Sequence, residues 1–233
     1  MLKLGNLTLG SRPVIATTVG KVNEQILKKA RNAGTDIIEF RIDALRQPRI
    51  PLITHIIKKI KDKNFPLILT IRKKQEGGVR YLPDAMRLFL FRELMDRVDA
   101  VDIELSSRAI LSSVIALAHK KNKKVIVSFH NFKKTPSEAR LKQILREAKK
   151  AGADIVKFGT MVKGRADILR LLAFTLKHRK ENIITIGMGK PGSVLRIILP
   201  VMGSLITYGF VDRPRAPGQI YAGQLKKCLE TYL

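Results

Sequence analysis

Short apolar runs alternate with amphipathic stretches along most of this 233-residue chain. Eight runs have the length and character of strands and recur every 22 to 33 residues, at 13–18, 36–42, 67–72, 100–106, 125–130, 154–159, 183–188 and 205–210. Most segments between them carry apolar residues at the helical spacing of three and four, most clearly 22–33, 52–63, 137–150 and 166–179. The pattern therefore predicts eight strand–helix units.

Eight such units favour a (β/α)8 TIM barrel that occupies residues 1–233 as a single domain. A doubly wound open sheet is the alternative, which the count and the spacing disfavour. Residues 2–10 alternate around Gly5-Asn6 and predict a short N-terminal hairpin that could close the bottom of the barrel. The segment Thr135–Glu138 predicts a helix start with Pro136 in the first turn.

Ionisable side chains stand at the ends of several predicted strands, where barrel enzymes place their chemistry. They are Glu39, Arg41 and Asp43 on one face of the second strand, Arg72 and Glu76 after the third, Asp102 and Glu104 in the fourth, His130 at the end of the fifth, and Lys157 in the sixth. Because unpaired buried charge is costly, the set predicts a shared catalytic cluster. A structural ion-pair network remains the alternative for the aspartates and Glu104.

Lys157 and His130 are the residues best suited to chemistry. Burial in an apolar strand disfavours an ammonium, and a neutral lysine can form a Schiff base with a ketone. The alternative is that Lys157 reaches solvent. His130 ends an apolar strand and suits general acid–base work, whereas the other three histidines fall in lysine-rich helical stretches. No histidine or cysteine spacing typical of a metal site is present, so no metal is expected.

The last third of the chain contains arginines that are predicted to bind an anion. Arg196 follows a glycine-containing turn near a possible helix start. Residues 211–219 contain two arginines, two prolines and a glycine, which predicts a basic loop over the barrel mouth that serves as a lid for an anionic substrate. A solvated surface loop is the alternative.

Lys plus Arg number 45 against 19 Asp plus Glu, a net charge of +26, which makes nucleic acid a possible partner. The basic residues are spread through the helices and form no block, so a basic outer surface that attracts small anions is favoured, with no nucleic-acid partner. Cys228 is the only cysteine and excludes an internal disulfide. No segment approaches the ~20 apolar residues that span a bilayer, and a cytoplasmic protein without membrane contact is expected.

Seven ordered motifs between residues 39 and 219 resemble those of the type I 3-dehydroquinate dehydratases, and the resemblance extends over residues 13–219. The motifs are Glu39-Phe40-Arg41-Ile42-Asp43; Thr70-Ile71-Arg72 with Glu76-Gly77-Gly78; Asp102-Ile103-Glu104-Leu105; Ser128-Phe129-His130-Asn131-Phe132 with Thr135-Pro136; Gly152-Ala153-Asp154-Ile155-Val156-Lys157; Met188-Gly189-Lys190; and Ala216-Pro217-Gly218-Gln219. Each motif is weak alone, but their order and spacing are specific. The resemblance implies a (β/α)8 enzyme of the shikimate pathway, which leads to aromatic amino acids.

The resemblance also implies roles for particular residues. Lys157 would form an imine with the ketone of 3-dehydroquinate, His130 would be the acid–base catalyst, and Glu76 would assist it. The resemblance further implies that the substrate is contacted by Glu39, Arg41, Arg72, Arg196 and Gln219. It implies no metal or organic cofactor, a small-molecule substrate and, as in many family members, a homodimer.

Two positions depart from the family pattern, and two other functions stay open. Arg215 stands where many members have serine, and Thr17 stands where a small hydroxyl residue of the first strand is common. A class I aldolase-like barrel also uses a strand lysine, usually on a phosphorylated sugar, and a basic nucleic-acid-binding protein would fit the charge. Burial of Lys157 among Arg41, Arg72 and His130 would favour its neutral amine.

Overall fold

The computed structural model describes residues 2–232 and contains a closed barrel of parallel strands. Within these residues the strands are β1 (Lys3–Leu4), β2 (Leu7–Thr8), β3 (Ile15–Val19), β4 (Ile37–Arg41), β5 (Leu67–Thr70), β6 (Ala100–Glu104), β7 (Lys124–Asn131), β8 (Ile155–Met161), β9 (Ile183–Met188), β10 (Thr207–Phe210) and β11 (Ile220–Tyr221). Strands β3 to β9 pair in parallel with their neighbours in sequence, and β10 pairs with both β3 and β11. The amide of Leu205, two residues before β10, donates to the Ile183 carbonyl of β9 at 2.9 Å. This contact joins β9 to β10 and closes the barrel.

Helices cover the outside of the barrel, one for each of its eight main strands β3 to β10. In the described part of the chain they are α1 (Glu24–Asn32), α2 (Ile50–Asp62), α3 (Asp84–Leu94), α4 (Arg108–Lys120), α5 (Glu138–Lys150), α6 (Arg165–Lys177), α7 (Leu195–Val201) and α8 (Ala222–Tyr232). All eight predicted strands and the four clearest predicted helices are confirmed, with ends shifted by at most two residues. The barrel is confirmed over the open sheet.

Two local predictions were wrong. Pro136 does not lie in the first helical turn, because Ser137 is the N-cap of α5 and accepts a hydrogen bond from the Arg140 amide. Asp43 does not continue strand β4, which ends at Arg41, since residues 42–44 form a short 3-10 turn. The buried Asp43 carboxylate is instead held by backbone amides around that turn.

Alternate residues of each strand face the interior of the barrel, and the interior is layered. Ile37, Ile68, Ala100, Ile126 and Ile155 belong to one apolar cluster inside the barrel. Leu4 and Leu9 of the N-terminal hairpin join the same cluster, so the predicted hairpin is confirmed and it covers the bottom.

The next inward position on each strand, two residues further on, is polar on most strands. These positions hold Glu39, Thr70, Asp102, Ser128, Lys157 and Tyr208. The polar layer therefore lies directly above the apolar one, toward the C-terminal ends of the strands.

Candidate active site

Lys157 is buried at the centre of the polar layer, with 4% of its surface exposed, so it does not reach bulk solvent. Its Nζ donates to Glu39 Oε2 at 2.9 Å and to Asp102 Oδ2 at 2.9 Å. The same Nζ lies 4.1 Å from the centre of the Tyr208 ring, a cation–π contact. The groups that bind the lysine are thus two carboxylates and an aromatic face, whereas the sequence placed arginines and a histidine around it.

A chain of buried charges extends from Lys157 to the outside of the barrel. Asp102 forms an ion pair with Arg72 Nη1 at 2.9 Å, and the same Nη1 donates a hydrogen bond to Glu104 at 2.9 Å. Glu104 in turn accepts from Arg87, a buried residue of α3 that also donates to the Ile71 carbonyl. The ion-pair network predicted as an alternative for Asp102 and Glu104 is therefore present, and it is part of the cluster that contains Lys157.

The network keeps its carboxylates ionised. Burial alone would raise the pKa of Asp102, but the charges of Arg72 and Lys157 outweigh burial and hold that pKa well below its ordinary value. Burial likewise opposes ionisation of Glu39, and the ammonium of Lys157 is the main charge that lowers the pKa of Glu39. Each cation of the network is therefore matched by ionised oxygen atoms.

Replacing Arg87 with methionine is expected to lower the free energy of unfolding by about 3–5 kcal/mol. The buried Glu104 carboxylate would then lose one of the two arginines that balance its charge and keep only Arg72. Chemical denaturation monitored by circular dichroism measures the change. Arg92→Met, an exposed position on the same helix, is the matched control and should shift stability by less than ~0.5 kcal/mol. Equal effects of the two substitutions would contradict the prediction.

His130 and Glu76 form a second unit at the mouth. One carboxylate oxygen of Glu76 accepts from the His130 backbone amide at 2.8 Å and lies 3.1 Å from His130 Nδ1. The other accepts from Ser106 Oγ at 2.5 Å. An ionised Glu76 places the imidazole proton on Nδ1 and leaves Nε2 as the free base. Gly159 makes room for the ring, because a Cβ there would lie 2.8 Å from His130 Cδ2.

Arg41 closes one side of the mouth. Its guanidinium makes two hydrogen bonds of 2.8 Å to Asp43 and one of 3.1 Å to the Gly77 carbonyl. Asp43 also accepts from the amides of Arg72 and Val79, so it joins the segment after β4 to the segment after β5. Asp43 therefore belongs to a structural ion pair, as the alternative prediction stated, and this pair orients the Arg41 guanidinium.

The basic loop 211–219 lies over the mouth and is held by Arg196 and Gln219. The buried Arg196 guanidinium donates to the carbonyls of Gly218 at 2.8 Å and Tyr208 at 3.0 Å, and burial lowers its pKa to about 10. The Gln219 amide donates to the Gly209 carbonyl at 2.7 Å and accepts from the Arg215 amide at 2.6 Å. Arg196, which was predicted to bind an anion, and Gln219, which was expected to contact the substrate, therefore also hold the loop in place.

The structure brings all eight predicted site residues to one cavity of about 60 Å³, which has room for only a few water molecules. Its walls are supplied by Glu39, Arg41, Arg72, Glu76, His130, Lys157, Arg196 and Gln219, together with Thr18, Tyr208 and Arg215. A larger cleft of about 890 Å³ lies at the opposite end of β3 and contains none of the eight. The site is therefore identified by the ionisable side chains that line the smaller cavity, and not by the volume of the cavity.

Some contacts were missed or misplaced from the sequence. Thr17 faces outward and shares a hydrogen bond of 2.7 Å with Thr35, so its neighbour Thr18 is the hydroxyl residue of β3 at the cavity. Ser106 and Arg87 were not predicted as contacts, since Ser106 lies just beyond the observed end of β6 and Arg87 lies on helix α3. Tyr208 could have been found, because it lies two residues after the inward-facing Ile206.

The described residues contain no group of three or more histidine, cysteine, aspartate and glutamate side chains arranged to hold a metal ion. No helix between residues 2 and 232 is both long and apolar enough to cross a membrane.

Comparisons with known proteins cover nearly the whole chain. The family model for type I 3-dehydroquinase matches residues 12–232. A 3-dehydroquinate dehydratase of Hydrogenobaculum is 38% identical, covering 90% of this chain and 93% of that protein. One of Methanococcoides burtonii is 36% identical and covers 99% of both. The crystal structure of a type I 3-dehydroquinate dehydratase of Clostridium difficile with covalently modified comenic acid has a TM-score of 0.90 at 30% identity, covering 98% of this chain and 96% of that one.

Proposed function

Since the chain belongs to the type I 3-dehydroquinase family, we propose that Lys157 is the residue through which it converts 3-dehydroquinate to 3-dehydroshikimate by way of an imine. The observation that carries the assignment is the position of Lys157, which is buried in the barrel beneath a cavity that His130 also lines. The reaction is a dehydration in the shikimate pathway, catalysed by a hydro-lyase.

The first part of the mechanism uses the two carboxylates around Lys157. Glu39 and Asp102, both 2.9 Å away, hold the ammonium in place; it first loses a proton to water, and the neutral amine then attacks the substrate ketone. Loss of water from that adduct leaves a protonated imine. The imine withdraws electrons and acidifies the adjacent C–H bond.

The second part uses His130. Its Nε2 removes the proton from the carbon next to the imine, and the resulting enamine expels the β-hydroxyl, which takes a proton from His130 and leaves as water. Hydrolysis of the remaining imine frees the product and regenerates Lys157. Glu76 keeps the imidazole in the tautomer that this sequence of steps requires.

The arginines and Gln219 are proposed to bind the substrate. The three hydrogen bonds of Arg196 leave up to two of its five N–H groups for a substrate carboxylate. Arg41, Arg72 and Glu39 line the same cavity and are proposed to contact the substrate hydroxyl groups. Because Arg215 and Gln219 of the loop 211–219 line the cavity, this loop is proposed to open and then close over the substrate as a lid.

The assignment is tested by trapping. The purified protein is mixed with 3-dehydroquinate, reduced with borohydride, and analysed by intact mass and peptide mapping. A stable adduct on Lys157 is the expected result. An adduct on another lysine, or none in a protein that still turns over, would overturn the assignment. An adduct only with phosphorylated sugars would favour the aldolase alternative.

The activity is expected to rise with pH along a limb that lies below pH 6.5. Burial lowers the pKa of His130 from 6.5, the charge of Arg72 lowers it further, and Glu76 acts in the opposite direction. A base must be neutral, so kcat/KM rises as His130 loses its proton. Glu76→Gln removes a group that raises this pKa, and the limb should move to lower pH. A pH profile of both proteins measures the shift, and a move to higher pH would contradict it.

We further propose that residues 1–233 form one domain and that the protein is a cytoplasmic homodimer without a nucleic-acid partner. One continuous sheet that carries all the helices of the described residues supports the single domain. The exposed Met86 and Phe89 on α3 support a contact between copies, with 43% and 49% of their surfaces accessible. A monomer in sedimentation velocity would exclude the dimer. Salt-sensitive binding of random duplex DNA in a gel-shift assay would contradict the proposal that the protein has no nucleic-acid partner.

A further inference from the structure

Tyr208 lines the mouth cavity and carries a hydroxyl group that makes no hydrogen bond to any side chain of the described residues. The residue lies on β10, faces inward, and is 4% exposed. Its Oη atom is fully buried and has no hydrogen-bond partner within residues 2–232. A buried hydroxyl without a partner costs stability, and native proteins rarely keep one without a reason. A group that enters the cavity is therefore the expected partner.

The ring and the hydroxyl of Tyr208 have separable uses. The ring carries the Lys157 ammonium 4.1 Å from its centre, and a phenylalanine would offer the same face. The carboxylate of Glu39 is the nearest acceptor and helps to raise the pKa of Tyr208, but Tyr208 Oη makes no hydrogen bond of normal geometry to it, and its two oxygens already accept from Thr70 at 3.0 Å and from Lys157. The hydroxyl is thus an additional donor attached to the ring that positions the nucleophile.

The hydroxyl stays protonated over the working pH range. Burial raises the pKa of Tyr208 well above its ordinary value of 10, and the negative charges of Glu39 and Asp102 act in the same direction. The side chain therefore offers a neutral O–H donor next to the attacking nitrogen.

We propose that Tyr208 donates a hydrogen bond to the ketone oxygen of the substrate while Lys157 attacks the ketone carbon. The proposal rests on the imine chemistry assigned above. As the N–C bond forms, the π-electron pair of the C=O bond moves to the oxygen, and a donor at that oxygen stabilises the developing negative charge. The nitrogen then gives one proton to this oxygen. The proton that Lys157 released before the attack returns to the same oxygen and completes the water molecule that leaves.

Tyr208→Phe tests the proposal, because it keeps the ring and removes only the hydroxyl. The rate of adduct formation on Lys157, measured by rapid mixing with 3-dehydroquinate and borohydride quenching, is expected to fall about 10- to 100-fold. KM should change much less than kcat. The melting temperature should stay the same or rise, because an unsatisfied hydroxyl has been removed. Tyr221→Phe, on the neighbouring strand β11 and outside the cavity, is the matched control and should leave all three values unchanged.

The outcomes separate this proposal from the assignment of Lys157. If the unaltered protein forms no adduct on Lys157, the imine assignment itself fails. If it forms the adduct and Tyr208→Phe forms it at the same rate, only the role of Tyr208 is overturned. A slower Tyr208→Phe protein with a clearly lowered melting temperature would indicate a structural hydroxyl and would also overturn the proposal.

Discussion

Replacing Lys157 with alanine is expected to abolish adduct formation with 3-dehydroquinate and to lower kcat at least about 10⁴-fold, because no other group of the cavity can form the imine. The substitution also leaves Glu39 and Asp102 without the cation between them. Lys157→Ala is therefore expected to destabilise the fold by about 3–5 kcal/mol. Turnover, intact mass after reduction, and thermal denaturation measure the three effects.

Lys157→Arg separates the chemistry from the electrostatics of the network. A guanidinium keeps a positive charge beside the two carboxylates but is always protonated and forms no imine. It should therefore be as inactive as Lys157→Ala, while retaining more stability. Lys150→Ala, at an exposed position on α5, is the control for a lost surface charge and should behave as the unaltered protein does. Near-normal turnover in either Lys157 variant would refute the mechanism.

Replacing His130 with alanine is expected to preserve binding and imine formation but to lower kcat about 10²- to 10⁴-fold, the range that general acid–base catalysis supplies. The imine should accumulate, because its formation depends on Lys157 while its onward reaction depends on the imidazole. Mass spectrometry during turnover, with and without borohydride, measures the accumulated adduct.

His119→Ala is the matched control for the histidine substitution. His119 lies on α4 and contacts Asp154 at the opposite end of the barrel, 3.2 Å from Nε2 to the carboxylate. It should show normal turnover and no accumulation of the adduct. A His130→Ala protein that turns over within a few-fold of normal, or that forms no adduct at all, would remove His130 from the assigned role.

Much of the site could be predicted because strand periodicity is local. Glu39, Asp102 and Lys157 each follow an inward-facing apolar residue by two positions, and a period of two places such residues on the same face. The N-terminal hairpin was predictable for a similar reason, since it alternates around a glycine–asparagine turn. These features depend only on neighbours along the chain.

The partners of each charge could not be predicted in the same way. Lys157 is 118 residues from Glu39 and 55 from Asp102, and their contact depends on how the barrel closes and how neighbouring strands are staggered. For the same reason the sequence placed Arg41, Arg72 and His130 around Lys157, where the structure has two carboxylates and the Tyr208 ring. Arg87 reaches Glu104 from a helix, which no strand pattern reveals.

The amino-acid sequence by itself determined the eight strand–helix units, the faces of the strands and the set of residues able to do chemistry, because these follow from short-range periodicity and side-chain type. Only the tertiary structure decided which charges pair, that Asp43 leaves its strand to orient Arg41, and that Arg196 and Gln219 hold the loop over the mouth. Those outcomes require atoms far apart in sequence to lie within about 3 Å of each other, and barrel closure alone sets such distances.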